Sequence, residues 1–111
     1  MIINPLIVKI LEQLEIPVAL ISYNGKKDKY IVFSTTNQNN TLFSDDIANE
    51  ETISVGINYY YTFPADIELI DRIKKILKDN GFSILSSRDI GCVDNIYNYA
   101  IYCEFKNKLS N

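Results

Sequence analysis

The segment TISVGINYYYTFPADIELIDRIKKILKDNGF, residues 52–82, changes its hydrophobic period once, from that of a strand to that of a helix. From Thr52 to Tyr61 the period is two. Ile53, Val55, Ile57, Tyr59 and Tyr61 alternate with Ser54, Gly56, Asn58 and Tyr60, as in a strand with one covered face and one more polar face. Pro64 then introduces a helix over about residues 65–79, with Ile67, Ile70, Ile73, Ile76 and Leu77 as its apolar stripe. Asp66, Glu68 and Asp71 stand early in it and Lys74, Lys75 and Lys78 late, which complements the helix dipole. Asn80-Gly81 is a stop signal, because glycine takes the left-handed position after a helix at little cost, and Phe82 is placed to fold back onto the last turn.

Upstream, Asn4-Pro5 predicts a helix start, with Asn4 accepting free amide hydrogens and Pro5 losing no bond it needs. Leu6, Ile7, Ile10, Leu11 and Leu14 keep helical spacing over about residues 5–14, until Pro17 forces extended geometry. Residues 17–23 and 30–36 are short β-prone runs, and Asn24-Gly25 heads the link between them, so an antiparallel pair is expected. Residues 37–50 form a long polar loop. Loops of that length are uncommon in small domains and tend to carry function. Residues 82–88 and 96–106 read as two more strands, with Gly91 and Asp94-Asn95 supplying the turn and Tyr97, Tyr99, Ile101, Cys103 and Phe105 on one face. Residues 107–111 read as a frayed tail. The order α-β-β-β-α-β-β predicts an α+β two-layer sandwich, a mainly antiparallel sheet with two helices packed on one face, in a single domain over residues 1–111.

Composition excludes several chemistries. The chain has 111 residues, 47% hydrophobic and 23% charged, enough apolar material for one packed core. It contains no histidine, so no Ser-His-Asp or Cys-His arrangement can form within it. Two cysteines, Cys92 and Cys103, cannot build a four-ligand zinc site, and reduced, partly buried thiols are the expected state. The 4 glycines match no phosphate-binding loop: Gly25-Lys26-Lys27 is followed by Asp28 where Ser or Thr should hold magnesium. No apolar run is long enough for a membrane span, and the N-terminal MIINPLIVKILEQL lacks the basic start of a secretory signal. The net charge of −3 argues against nucleic acid as the main partner.

The series Pro17, Tyr23-x-Gly25, Tyr30-Ile31-x-Phe33, Asp45-Asp46, Ile53-x-Val55-x-Ile57, helix, Gly81-Phe82 and a tyrosine-rich last strand ending Glu104-Phe105 resembles small tail-completion or head–tail joining proteins of tailed bacteriophages and prophages. The likeness runs over about residues 5–105 and rests on order and spacing rather than on any single motif. One departure is Asn58-Tyr59-Tyr60-Tyr61, where an acidic residue or tryptophan is expected. The resemblance implies a structural protein with no catalytic residues to carry over, and the residues themselves call for no cofactor and no bound metal. It implies a ring of copies, typically a hexamer, at the end of the tail tube, in contact with tail-tube and head-connector proteins. It places the protein in the bacterial host cytoplasm during assembly and at the head–tail junction of the virion afterwards.

The residues themselves leave alternatives open. The chain has 8 tyrosines and no tryptophan. On the less apolar sheet face Tyr60 and Tyr102 flank Ser54, Gly56, Asn58, Asn98 and Ala100, either as interface residues or as ordinary lining of a half-buried sheet. Leu42-Phe43, inside the polar loop, either docks on a neighbouring subunit or the tail tube, or folds back onto the domain's own core. Asp45-Asp46 and Glu50-Glu51 lack the alternating ligands and central glycine of a calcium loop and read as solvated acids. Lys26, Lys27 and Lys29 read as a solvated turn, with at most weak contact to DNA. Two other functions compete: a small intracellular protein-binding or regulatory module, and an enzyme subunit donating Asp45 or Asp46 to a site completed by another chain. If Leu42-Phe43 is the docking element, a Leu42→Ser, Phe43→Ser double variant stays folded by circular dichroism and loses head–tail joining.

Overall fold

A computed structural model describes residues 3–39 and 50–108. Leu42, Phe43, Asp45 and Asp46 lie outside the described residues, as does most of the polar loop expected at 37–50. The chain forms α1 (Asn4–Leu11), extended by a 3-10 turn at Glu12–Leu14, then β1 (Val18–Leu20), β2 (Lys29–Asn39) and β3 (Glu50–Tyr61). A 3-10 segment (Pro64–Glu68) leads into α2 (Leu69–Asp79), and β4 (Phe82–Val93) and β5 (Ile96–Lys108) complete the fold. The five strands form one sheet in the order β1-β2-β3-β5-β4, antiparallel except for β1 against β2. The α+β architecture expected from the alternating periods is the one observed.

One covered face follows from parity. Ile31 and Phe33 of β2, Ile53, Val55, Ile57, Tyr59 and Tyr61 of β3, and Ile101 and Cys103 of β5 are all buried. They form a single cluster with Ile7, Ile10, Leu11 and Leu14 of the first helical segment and Ile70, Ile73, Ile76 and Leu77 of α2. Both helices therefore pack on the same side of the sheet. Ile67, expected in the second stripe, is half exposed. It lies in the 3-10 segment, where three residues per turn carry it off the stripe that the α-helix continues. Asn4 also departs from expectation. Its Oδ1 accepts a hydrogen bond from Thr35 Oγ1 of β2 at 3.0 Å and makes no cap, although Pro5 holds the first turn as expected.

The pairing of β1 corrects the sequence reading. Val18, Ala19 and Leu20 run parallel to Ile31, Val32 and Phe33. A two-residue hairpin at Asn24-Gly25 would set Leu20 against Lys29 and Ile21 against Asp28, whereas the parallel register sets apolar residues beside apolar ones. Residues 21–28 instead form a return loop. Ile21 turns it with a left-handed φ of 70° and donates its amide hydrogen to Phe33 O at 2.9 Å. Tyr23 then folds its ring against the α-carbon of Gly25, a close approach that any side chain there would block.

The second hairpin turns at Asp94-Asn95 alone, both left-handed at φ 52° and 66°, which matches the right-handed twist of the strands it joins. Gly91, expected in that turn, sits inside β4 at an irregularity. The β4–β5 register shifts twice, between Ile84 and Ser86 and between Asp89 and Gly91, so Leu85 and Ile90 are inserted residues. Gly81 ends α2 as expected, with a left-handed φ of 89°. Phe82 is buried and packs its ring 4.9 Å from that of Phe105.

Cys92 and Cys103 are both free thiols, Cys92 exposed and Cys103 buried. Their partners along β5 and β4 are Tyr97 and Ile84, so six residues of strand, about 20 Å, separate the two positions. They cannot pair within one chain.

Ile73 is fully buried at the centre of the cluster. Ile73→Ala is expected to lower unfolding free energy by about 2–5 kcal/mol through lost burial and the cavity left behind, measured by urea denaturation.

Candidate protein-docking face

Because both helices cover one side of the sheet, the other side stays open among the described residues. Its floor is the even-numbered set of β2, β3 and β5: Tyr30, Val32, Ser34 and Thr36, then Ser54, Gly56, Asn58 and Tyr60, then Asn98, Ala100, Tyr102 and Glu104. The two insertions in β4 add apolar residues to this polar face. Leu85 lines one hollow of about 310 Å³ together with Ser34, Thr36, Ser54, Gly56 and Tyr102. Ile90 lines another of about 300 Å³ with Tyr30, Tyr60, Val93, Ile96 and Asn98. Leu85 is 61% exposed, Ile90 47% and Val93 73%.

Of the six residues singled out in the sequence, Tyr60 and Tyr102 stand on this face, in different hollows. Tyr60 pairs across the strands with Asn98 and Tyr102 with Gly56. Ile90 and Val93 escape the sequence reading, which ends that strand at residue 88, and Ile90 also lies where the first bulge has shifted the parity; Leu85 and Ile96 fall on the open face by alternation alone. The signal was present as adjacent apolar residues, Ile84-Leu85, and as Ile90 beside a glycine.

An aromatic row crosses the face. Tyr23 lies 4.5 Å from Tyr30, and Tyr30 lies 5.1 Å from Tyr60 with the rings 20° from parallel. Burial, and then the neighbouring Tyr60 and Tyr23, push the Tyr30 phenol above its usual range. A second set of tyrosines lines the covered side at the same end. Tyr61 stacks on Tyr59 at 5.0 Å and on Tyr97 at 5.1 Å, and Tyr59 donates to Asp66 O at 2.9 Å. Tyr99 accepts from Lys74 Nζ and donates to Ser87 Oγ, each at 3.0 Å, which ties α2 to β5 and β4.

A larger hollow, about 450 Å³, lies elsewhere among the described residues, between the end of the first helical segment and the start of β2. Glu15, Lys27, Asp28, Lys29 and Asp66 line it, and Lys29 is already paired with Asp66 at 3.1 Å. Three carboxylates and two ammonium groups thus line it, a mixture of signs that singles out no ligand class. Among the described residues no group of three or more Cys, Asp or Glu side chains is arranged to hold a metal ion. No described helix is long and apolar enough to cross a membrane.

No protein-family model matches the chain, and no curated protein matches it.

The protonation of the sheet gives it a pH dependence. Burial pushes the Cys103 thiol from 9.0 up to about 12, and burial followed by Asp66 and Tyr61 raises the Tyr59 phenol. In both the folded state keeps a proton that the unfolded chain releases, so stability is whole below about pH 8 and is lost as pH rises through 9.0 and above. Tyr99 acts in the opposite sense, because Lys74, and then Ser87 once its hydroxyl turns to donate to the phenolate, lower its pKa. The urea midpoint is expected to fall between about pH 8 and about pH 10.5, less steeply in Cys103→Ala and more steeply in Tyr99→Phe.

Proposed function

We propose that the protein is a structural subunit of the phage tail-completion or head–tail joining type, working through protein–protein contacts and assembling as a ring at the end of the tail tube. The observation that carries this reading is the uncovered sheet face, with Leu85, Ile90, Val93 and Tyr102 exposed on or beside it. A two-layer domain of this size gains nothing from placing bulky apolar residues on its bare side unless another surface covers them. Edge strand β4 supports the same reading. Its outer edge is unpaired over Phe82–Val93 among the described residues, so a docked partner has backbone groups to bond as well as side chains to cover. The proposal assigns no catalytic step, no cofactor and no metal.

The role is tested by complementation in a lysogen from which the gene is deleted. Leu85→Asp and Tyr102→Asp change exposed side chains and are expected to keep the wild-type circular-dichroism spectrum and thermal midpoint. Electron microscopy of the lysates is expected to show heads and tails accumulating separately. Full joining of particles by both variants, or a gene neighbourhood of metabolic enzymes in place of portal, capsid and tail-tube genes, overturns the proposal.

A further inference from the structure

The hollow beside Tyr60 holds a carboxylate with no counter-charge. Asp94, in the β4–β5 turn, lines it, and among the described residues no lysine or arginine does. Nor does Asp94 form an ion pair among the described residues, where Lys29 pairs with Asp66 and Lys75 with Asp79. Arg88, the one cation of β4, pairs in register with Ala100 and does not line the hollow.

Tyr60 favours the same sign of ligand. Tyr30 stacks on one face of its ring. The register sets Asn98 and then Gly91 on the other side. There the space is open, with no atom within 4 Å of where a β-carbon on Gly91 would sit. The face of a tyrosine ring carries the negative end of its quadrupole, so ring and carboxylate both attract a cation and repel an anion. Ile90, Val93 and Ile96 wall this space of about 300 Å³, which has room for an aliphatic stem as well as its charged head.

Three kinds of side chain compete for such a place. A neutral aromatic ring stacks on Tyr60 but brings no counter-charge, so its docking desolvates the Asp94 carboxylate and leaves it unpaired. An ammonium balances the charge, but it is a compact and strongly hydrated point charge. A guanidinium is flat, sheds water more readily, stacks on aromatic faces and offers a carboxylate two parallel N–H groups. Its other N–H groups stay hydrated, because the space above Gly91 is open.

We propose that this hollow receives an arginine side chain of a partner protein, its guanidinium lying on the free face of Tyr60 and paired with Asp94. Charge complementarity carries the assignment, and Ile90, Val93 and Ile96 cover the stem. The inference rests on the reading of this face as a docking surface and names the chemistry of what docks there.

The probe is the capped tripeptide acetyl-Gly-Arg-Gly-amide, titrated into the isotope-labelled full chain and followed by NMR. Saturable shifts are expected at the amides of Ile90, Gly91, Val93 and Asn98. The same peptide with citrulline keeps the flat head and loses the charge. It is expected to bind about tenfold more weakly, since a cation–π contact and an ion pair at a solvent-open site are each worth about 2–5-fold. Lysine and tryptophan versions are expected to bind more weakly than the arginine one. Asp94→Asn suits the left-handed φ of 52° at that position, and an unchanged thermal midpoint shows that it folds. It and Tyr60→Leu are each expected to weaken the arginine peptide by about 2–5-fold, and Asp94→Asn to flatten the dependence on salt. No saturable shift, undiminished binding by Asp94→Asn, or a citrulline, lysine or tryptophan peptide that binds as tightly overturns the proposal. So does self-association in sedimentation that Asp94→Asn abolishes, since Arg72 or Arg88 of a second copy would then fill the site. If Leu85→Asp blocks particle joining while the arginine peptide fails to bind, the face is a docking surface and only this assignment falls. If the peptide binds while the face variants still join particles, the arginine site stands and the assembly role falls.

Discussion

Two helices cover one side of a five-stranded sheet, and there is no third layer among the described residues. That asymmetry sets the character of both faces. On the covered side, β2, β3 and β5 each present their odd-numbered residues, so Ile31, Phe33, Ile57 and Ile101 meet Ile7, Ile73 and Leu77 in one cluster. A strand has a side-chain period of two, so a slip of one residue in any central strand would exchange the two faces completely. The bare side accordingly carries mostly short or polar residues, with apolar ones confined to particular places.

Those places are set by β4. A regular edge strand would have kept the alternation begun by Phe82 and Ile84. Leu85 lies on the open face that this alternation already gives it, and the first inserted residue shifts the parity so that Ile90 faces that side too; Leu85 meets Tyr102 in one hollow and Ile90 meets Tyr30 and Tyr60 in the other. Bulges also strengthen local twist and interrupt the ladder, which discourages indiscriminate pairing along an exposed edge. The irregularities therefore guard β4 against aggregation and bring Ile90 onto the open face.

The tyrosines divide between the two sides with different roles. Tyr59, Tyr61, Tyr97 and Tyr99 close one end of the core, where phenols reach Asp66 O, Lys74 and Ser87. Tyr23, Tyr30 and Tyr60 form a row on the open side that ends at a gap.

Much of the fold was legible from period and punctuation. The alternation at Ile53–Tyr61, the stripe Ile70-Ile73-Ile76-Leu77 and the stop at Asn80-Gly81 are local signals, and each depends on forces that act within a few residues: pleat, helical repeat and the freedom of glycine at positive φ. Of the candidate site, Tyr60 and Tyr102 were legible for the same reason, since parity alone assigns them to the polar face. The parallel pairing of β1, the exposure of Ile67 and the continuation of β4 through Ile90 and Val93 were not. Parallel pairing depends on matching Val18 and Leu20 to Ile31 and Phe33 across a return loop, and the bulges depend on how β4 must bend to follow β5. Such choices are made between segments, by packing and twist over the whole sheet, and local residue patterns do not encode them.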